Sequence, residues 1–132
     1  MPAIAYFDDD PLSRQVMQLL LTRKLNYTEV GVFEDSTDFL SRLQGLTFKP
    51  DIVLVDIHMQ PYDGFHVLKT LRERDDFSTT KIVAVTASVM NEEVELLRKA
   101  GFDGVIGKPI DSSIFASLID RILQGETVWR PS

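Results

Sequence analysis

The segment from Asp51 to Gly64 constrains the fold more than any other part of the chain. Residues Ile52 to Val55 are four consecutive aliphatic residues, three of them β-branched, and the carboxylate Asp56 follows directly. Such a run is typical of a strand that is covered on both faces within a parallel sheet. Ligands of open α/β sheets bind outside the carboxyl ends of the strands, so the pattern puts Asp56 at a functional edge. By itself, an Asp after a strand is more often a turn residue or a helix cap.

Four further apolar runs, each followed by an amphipathic stretch, repeat this pattern along the chain. They predict strands over Ala3–Phe7, Thr28–Phe33, Lys81–Val85 and Gly104–Gly107, and helices from Pro11, over 37–43, 64–74, 92–100 and 112–123, with Ser36, Asn91 and Asp111 as candidate caps. Alternating strands and helices predict an α/β fold: a doubly wound, five-stranded parallel sheet of the flavodoxin-like (βα)5 type, with strand order 2-1-3-4-5. One domain over 1–124 and a C-terminal tail over 125–132 are expected.

Charge and composition exclude several classes of function. The 132 residues carry a net charge of −6 and include no cluster of basic residues, which argues against binding to nucleic acid or to acidic lipid. The absence of Cys excludes disulfides and thiolate chemistry. The sequence enters its first strand at once and has no apolar stretch near the ~20 residues that a membrane span needs. We therefore expect a cytoplasmic protein with no membrane segment, whose partners are proteins.

The predicted strands deliver polar side chains to one edge of the sheet. Asp8 and Asp9 follow the first strand, Asp56 the third, Thr86 the fourth and Lys108 the fifth. Two carboxylates about 4 Å apart repel by about 4 kcal/mol at an effective dielectric constant of 20, so a cation is expected between them. Oxygen ligands favour Mg²⁺. The alternative for the acidic run alone is a solvated turn.

A divalent cation, an acidic cluster, one hydroxyl and one Lys are the parts of a phosphoryl-transfer site. The metal and the ammonium group neutralise the phosphoryl oxygens, and the hydroxyl adds a hydrogen bond. Asp56 is the predicted nucleophile because it stands centrally and a carboxylate can form an acyl phosphate. Taken singly, Lys108 and Thr86 would be read as an ordinary surface Lys and a strand-end residue.

The motif set resembles the receiver domain of response regulators over Ala3 to about Leu123. The family pattern has an acidic pair after strand one, D-x-x-M and D-G after strand three, Thr-Ala or Ser-Ala after strand four, and Lys-Pro after strand five. The matching residues are Asp8 and Asp9; Asp56, Met59, Asp63 and Gly64; Thr86 and Ala87; and Lys108 and Pro109.

This resemblance implies that Asp56 accepts a phosphoryl group from a histidine kinase or a histidine phosphotransfer protein. The domain, read as a stand-alone receiver, would then signal to a downstream protein by contact and lose the group by slow self-hydrolysis. Mg²⁺ would be ligated by Asp9, Asp56 and the backbone carbonyl of His58, with Asp8 acting through water.

The resemblance also implies roles around the phosphoryl oxygens. Thr86 and Lys108 would bind them, and the small Ala87 would leave room. Two positions depart from the family pattern. Gln60 stands where Pro usually follows the Met, and Val105 stands where an aromatic switch residue is usual. We therefore expect Thr86 to move on phosphorylation and the loop 86–91 to carry the signal, with Val105 as a passive member of the switch.

Three other functions compete with this interpretation. A haloacid-dehalogenase-like phosphohydrolase would use Asp8 as nucleophile and Asp10 as acid, but Leu12 breaks that motif. A flavodoxin-like flavin site would need Gly, Ser and Thr after the first strand, where three Asp would repel a phosphate. A receiver that acts only as a scaffold or a phosphate sink is the third.

Overall fold

A computed structural model describes residues 1–129. Five parallel strands form one sheet in the order β2-β1-β3-β4-β5, which confirms the predicted topology. The strands are β1 Ile4–Phe7, β2 Val30–Phe33, β3 Ile52–Asp56, β4 Lys81–Thr86 and β5 Gly104–Gly107. The α-helices are α1 Pro11–Leu19, α2 Phe39–Gln44, α3 Gly64–Arg72, α4 Asn91–Ala100 and α5 Phe115–Leu123, with a π-helical turn at Leu20–Lys24 and a 3-10 turn at Asp75–Phe77.

The strand pairing aligns the carboxyl ends that carry the polar residues. Phe7 pairs with Val55, Asp56 with Val85, and Thr86 with Gly107. The first and third strands are therefore neighbours, although α1, β2 and α2 separate them in sequence. This crossover is the switch point at which open α/β sheets bind their ligands.

Helices cover both faces of the sheet, as the unbroken aliphatic runs predict. Successive strand residues point to opposite faces, so that Val53 and Val55 pack with α2, α3 and α4, whereas Ile52 and Leu54 pack with α1 and α5. All five residues of β3 are buried. The two hydrophobic layers hold the central strand, and with it Asp56, from both sides.

The first turn of α2 differs from the prediction. We expected Ser36 to cap a helix over 37–43, but the helix begins at Phe39 after Asp38, which has a left-handed backbone with φ 50°. The buried Ser36 hydroxyl donates to Tyr62 O and accepts from Tyr62 N–H, both at 2.7 Å. The loop after β3 therefore takes the hydrogen-bonding capacity that a helix cap would have used.

Two other predicted caps are also displaced. Asn91 is the first residue of α4 rather than its cap, and Met90 precedes the helix without a side-chain hydrogen bond. Asp111 accepts hydrogen bonds from the backbone and hydroxyl of Ser113 in a turn, and α5 begins only at Phe115. Short polar side chains stabilise both turns and helix caps, so the presence of Asn91 and Asp111 in the sequence did not show which of the two each would form.

The chain continues past α5 back onto the sheet. Val128 forms a parallel bridge with Gly104 at the open edge of β5 and is buried among the α1 and α5 side chains. Within residues 1–129, no helix has the length and apolar composition that crossing a membrane requires. The sequence pattern predicted no strand or helix in the tail over 125–132. Within its described part, residues 125–129, Val128 contacts β5 at the edge of the sheet.

Candidate functional site

Three carboxylates meet at the carboxyl edge of the sheet, as the strand ends predict. Oxygen atoms of Asp8, Asp9 and Asp56 all lie within 4.8 Å of one another. Asp8 and Asp56 are buried, while Asp9 is exposed and open to solvent. Such a set of hard oxygen donors with one open side fits Mg²⁺, which keeps part of its water shell in proteins.

Lys108 is the cation that faces these acids. Its Nζ lies 2.6 Å from Asp8 Oδ2 and 3.6 Å from Asp56 Oδ2. Burial alone would lower the pKa of Lys108, but the hydrogen bond to Asp8 and the charges of both carboxylates outweigh burial and raise it. The ammonium group is therefore charged and already within reach of an oxygen on Asp56.

Asp56 is the carboxylate whose ionisation the site disfavours. Burial, followed by the negative charge of Asp8, raises the pKa of Asp56 to about 6, although Lys108 opposes this shift. Its Oδ1 accepts a 3.3 Å hydrogen bond from the backbone of His58. A divalent cation beside Asp56 would remove the repulsion and favour the ionised nucleophile.

The raised pKa predicts how stability depends on pH in the metal-free protein. The folded state holds the Asp56 proton up to about pH 6, whereas the unfolded state releases it near the ordinary carboxyl pKa of 3.8, so stability falls as pH rises between these values. Asp56→Asn mimics the protonated form. We expect it to raise the unfolding free energy by about 2–3 kcal/mol at pH 7, with the gain vanishing below pH 4. Urea unfolding in chelator at both pH values measures this; a gain that is the same at both would contradict it.

Tyr6 is a site residue that the sequence analysis missed. It is fully buried in β1, and its hydroxyl donates a hydrogen bond to Asp8 Oδ2, the same oxygen that Lys108 contacts. The other oxygen of Asp8 accepts from the backbone of Asp10 at 2.9 Å. In an apolar strand, an aromatic residue such as Tyr6 is ordinarily interpreted as part of the core. The available signal was the spacing, since residues two apart in a strand point to the same face, which puts Tyr6 beside Asp8.

We expect Tyr6→Phe to lower the unfolding free energy by about 1.5–3 kcal/mol, because it removes a buried hydrogen bond to a charged group while keeping the ring. Tyr62→Phe is the matched control, since Tyr62 is exposed, and it should change stability by less than about 0.5 kcal/mol. Urea unfolding of both variants tests the role of the hydroxyl. Equal effects at the two positions would show that the bond to Asp8 contributes nothing.

The residues predicted to surround the phosphoryl group lie at the end of β4 and just beyond it. Thr86 is buried as the last residue of the strand, and its Oγ1 accepts a 3.1 Å hydrogen bond from the backbone of Ser88. Ala87 is exposed, and Val105 is buried in the neighbouring β5. Lys108 N–H donates to Thr86 O at 2.8 Å. The hydroxyl and the ammonium group thus come from adjacent strand ends.

The loop after Asp56 is held by a helix cap, by a close backbone approach and by a hydrogen bond to the segment before α2. Asp63 caps α3 by accepting from His66 N–H at 2.9 Å. A Cβ added to Gly64 would lie 3.1 Å from Ile57 Cα and 3.2 Å from Asp56 O, so only Gly allows this close approach. The Gln60–Pro61 bond is cis, and Gln60 O accepts from Ser36 N–H. The backbone carbonyl of His58 as a metal ligand stays a prediction.

Asp10 lies at the start of α1, where its side chain acts as the helix cap. Its side chain caps α1, accepting from the backbone of Ser13 at 3.1 Å and from the Ser13 hydroxyl at 2.6 Å. These hydrogen bonds lower the pKa of Asp10. A carboxylate that caps a helix and has a lowered pKa is poorly suited to donate a proton near neutral pH, which argues against the phosphohydrolase interpretation.

The sequence matches the response regulator receiver domain family over residues 4–120. The nitrate/nitrite response regulator protein homolog of Haemophilus influenzae is 28% identical over 98% of this chain and 60% of its own length. The polar-differentiation response regulator DivK of Brucella anthropi is 33% identical over 57% of this chain and 61% of its own length. The matched regions therefore span about three fifths of these relatives.

Solved structures share the fold at low sequence identity. The chemotaxis response regulator CheY4 of Vibrio cholerae superposes with a TM-score of 0.80 at 22% identity, covering 92% of this chain and 98% of that one. The receiver domain of a sensor histidine kinase from Pseudomonas aeruginosa, solved with magnesium coordinated in its active-site cleft, has a TM-score of 0.80 at 20% identity over 94% of this chain and 98% of its own. The family match and the shared fold establish that this chain is a receiver domain of two-component signalling.

Proposed function

We propose that Asp56 is the phosphoacceptor of this receiver and that Asp8, Asp9 and Asp56 hold the Mg²⁺ it requires. The single observation that carries the proposal is the position of Asp56, a buried strand-end carboxylate that lies within 4.8 Å of an acidic pair and 3.6 Å from Lys108 Nζ. The donor is a phosphohistidine on a histidine kinase or a phosphotransfer protein.

Phosphoryl transfer is catalysed mainly by positioning the reacting groups and by neutralising the charge on the phosphoryl oxygens. An oxygen of Asp56 attacks phosphorus, the new O–P bond forms, and the N–P bond breaks, returning its electron pair to the imidazole nitrogen. Bound Mg²⁺ supplies positive charge to the phosphoryl oxygens. Lys108 exchanges its contact with Asp8 for a phosphoryl oxygen, and the Thr86 hydroxyl donates a hydrogen bond to another.

The partner is expected to dock beside the acidic cluster. The exposed side chains of Leu12, Val16 and Leu19 lie at positions i, i+4 and i+7 of α1, which begins two residues after Asp9. This spacing puts them on one face of the helix. An apolar stripe next to the metal site supports docking of an amphipathic helix that presents the donor imidazole, and the net charge of −6 argues against nucleic acid as the partner.

Incubation with acetyl phosphate tests the proposal without a kinase. We expect intact mass spectrometry to detect addition of one phosphoryl group to the wild type with Mg²⁺, and little or none in chelator or in Asp56→Asn. The amide of Asn cannot form an acyl phosphate, whereas its size preserves the pocket. Equal labelling of Asp56→Asn, or labelling that persists in chelator, would remove the proposal.

A further inference from the structure

The last four described residues, Glu126–Trp129, form a segment that we call the C-terminal strap. It starts where Glu126 N–H donates to Arg121 O at 3.0 Å, just after α5. Val128 then bridges to Gly104, and Val128 O accepts from Val105 N–H at 2.8 Å. The strap thus pairs with β5, which is one of the two edge strands of the sheet.

Side chains of the strap pack on both faces of the sheet. Val128 is buried in the layer formed with α1 and α5, whereas Trp129 packs against the layer formed with α2, α3 and α4. The guanidinium carbon of Arg98 lies 5.7 Å from the centre of the Trp129 ring. A cation over an indole face adds a modest attraction at a partly exposed position. The strap is therefore docked by a small number of identifiable contacts.

β5 connects the strap to the phosphoacceptor site. The strand has four residues, Gly104–Gly107, and the site begins at the next residue, Lys108. On the β4 side of β5, Gly107 pairs with Thr86, and the Thr86 carbonyl accepts from Lys108 N–H. On the other side of β5, Val105 N–H donates to the Val128 carbonyl. A displacement of β5 at either edge therefore acts on the hydrogen bonds at the other.

We propose that phosphorylation of Asp56 releases the strap, so that Trp129 and the edge of β5 become exposed. The inference rests on the proposed function, because Lys108 and Thr86 are the two groups that change partners in it. Lys108 gives up Asp8, and Thr86 gives up the backbone of Ser88. Thr86 is the last residue of β4, and Lys108 directly follows β5. A strap held by few contacts requires only a modest bias to move between two states.

Trp129 is the only Trp in the sequence, so its fluorescence reports the strap directly. The 132-residue chain with Mg²⁺ is treated with beryllofluoride, which binds the acceptor carboxylate as an analogue of its acyl phosphate. We expect the emission to shift to longer wavelength and acrylamide quenching to rise at least two-fold, with neither change in Asp56→Asn. Unchanged or reduced quenching in the treated wild type would overturn the proposal.

Two substitutions in the strap test the coupling from the opposite side. Val128→Asp introduces a charge at a buried position and should release the strap, whereas Thr127→Asp adds the same charge at an exposed neighbour and should not. Because coupling between two sites is reciprocal, we expect Val128→Asp to bind beryllofluoride at least five-fold more tightly than Thr127→Asp. Equal affinities in the two variants would overturn the coupling.

Intact mass after acetyl phosphate treatment separates the two possible failures. A wild type that gains no phosphoryl group would remove the proposed function and the strap inference with it. A wild type that is fully phosphorylated but whose Trp129 quenching stays unchanged would remove the strap inference alone.

Discussion

Replacing Lys108 by Ala is expected to lower the unfolding free energy of the metal-free protein by about 3–5 kcal/mol at pH 7. The substitution removes the ammonium group that contacts Asp8 and Asp56 and leaves their charges uncompensated in a buried position. We also expect phosphorylation by acetyl phosphate to slow by about 10²–10³-fold, since Lys108 stabilises the charge that develops on the phosphoryl oxygens. Urea unfolding and the time course of intact mass measure the two effects.

The Lys108→Ala substitution should affect Mg²⁺ binding much less than the rate of phosphorylation. Lys108 ligates no metal, so Mg²⁺ binding is expected to persist and to restore part of the lost stability. Lys69→Ala is the matched control, because Lys69 is exposed on α3, and both its stability and its labelling rate should match the wild type. A Lys108→Ala protein that loses Mg²⁺ affinity but keeps its labelling rate would contradict this role.

The Gly64→Ala substitution is expected to impair the site through the backbone. The new Cβ would lie 2.8 Å from Ile57 Cδ1 and about 3 Å from backbone atoms of Ile57 and Asp56, so the loop that follows the acceptor must shift. We expect a loss of about 1–3 kcal/mol in unfolding free energy and a fall of about 10²-fold in the labelling rate, because small displacements of reacting groups carry large rate costs.

Gly101→Ala separates loss of stability from loss of function. Gly101 ends α4 with φ 109° and has open space around its Cα, so Ala there is strained by its own backbone conformation alone. We expect Gly101→Ala to lower stability by about 1 kcal/mol and to leave the labelling rate near that of the wild type. If the two Gly variants were labelled at equal rates, the close contact between α3 and Asp56 would have no bearing on transfer.

The sheet and most of its site could be predicted because their signals are local. Unbroken aliphatic runs such as Ile52–Val55 are typical of strands that are covered on both faces in a parallel sheet. The residue that follows each run reaches the functional edge. The strand order then brings Asp8 beside Asp56. Lys108 came within reach of both because β5 ends in a fixed register with β4.

What the sequence could not supply depends on contacts between distant segments. The sequence shows Tyr6 only as one residue of an apolar strand. The role of its hydroxyl depends on the position of the Asp8 carboxylate, which the fold determines. Ser36 looks like a helix cap, but the loop near Tyr62 competes for its hydroxyl. Val128 and Trp129 form an apolar segment that is too short to predict a strand. They contact the sheet because the outer edge of β5 has no other strand beside it within the described residues.

Locating the phosphoryl group on the chain tests the central claim most directly. The protein is labelled by acetyl phosphate with Mg²⁺, the acyl phosphate is reduced with borohydride, and the modified residue is identified by peptide mass spectrometry. The modification is expected at Asp56 alone, because it is the buried carboxylate that ends a central strand beside both the acidic pair and Lys108. Modification at Asp8 or Asp9, with Asp56 unmodified, would contradict the claim.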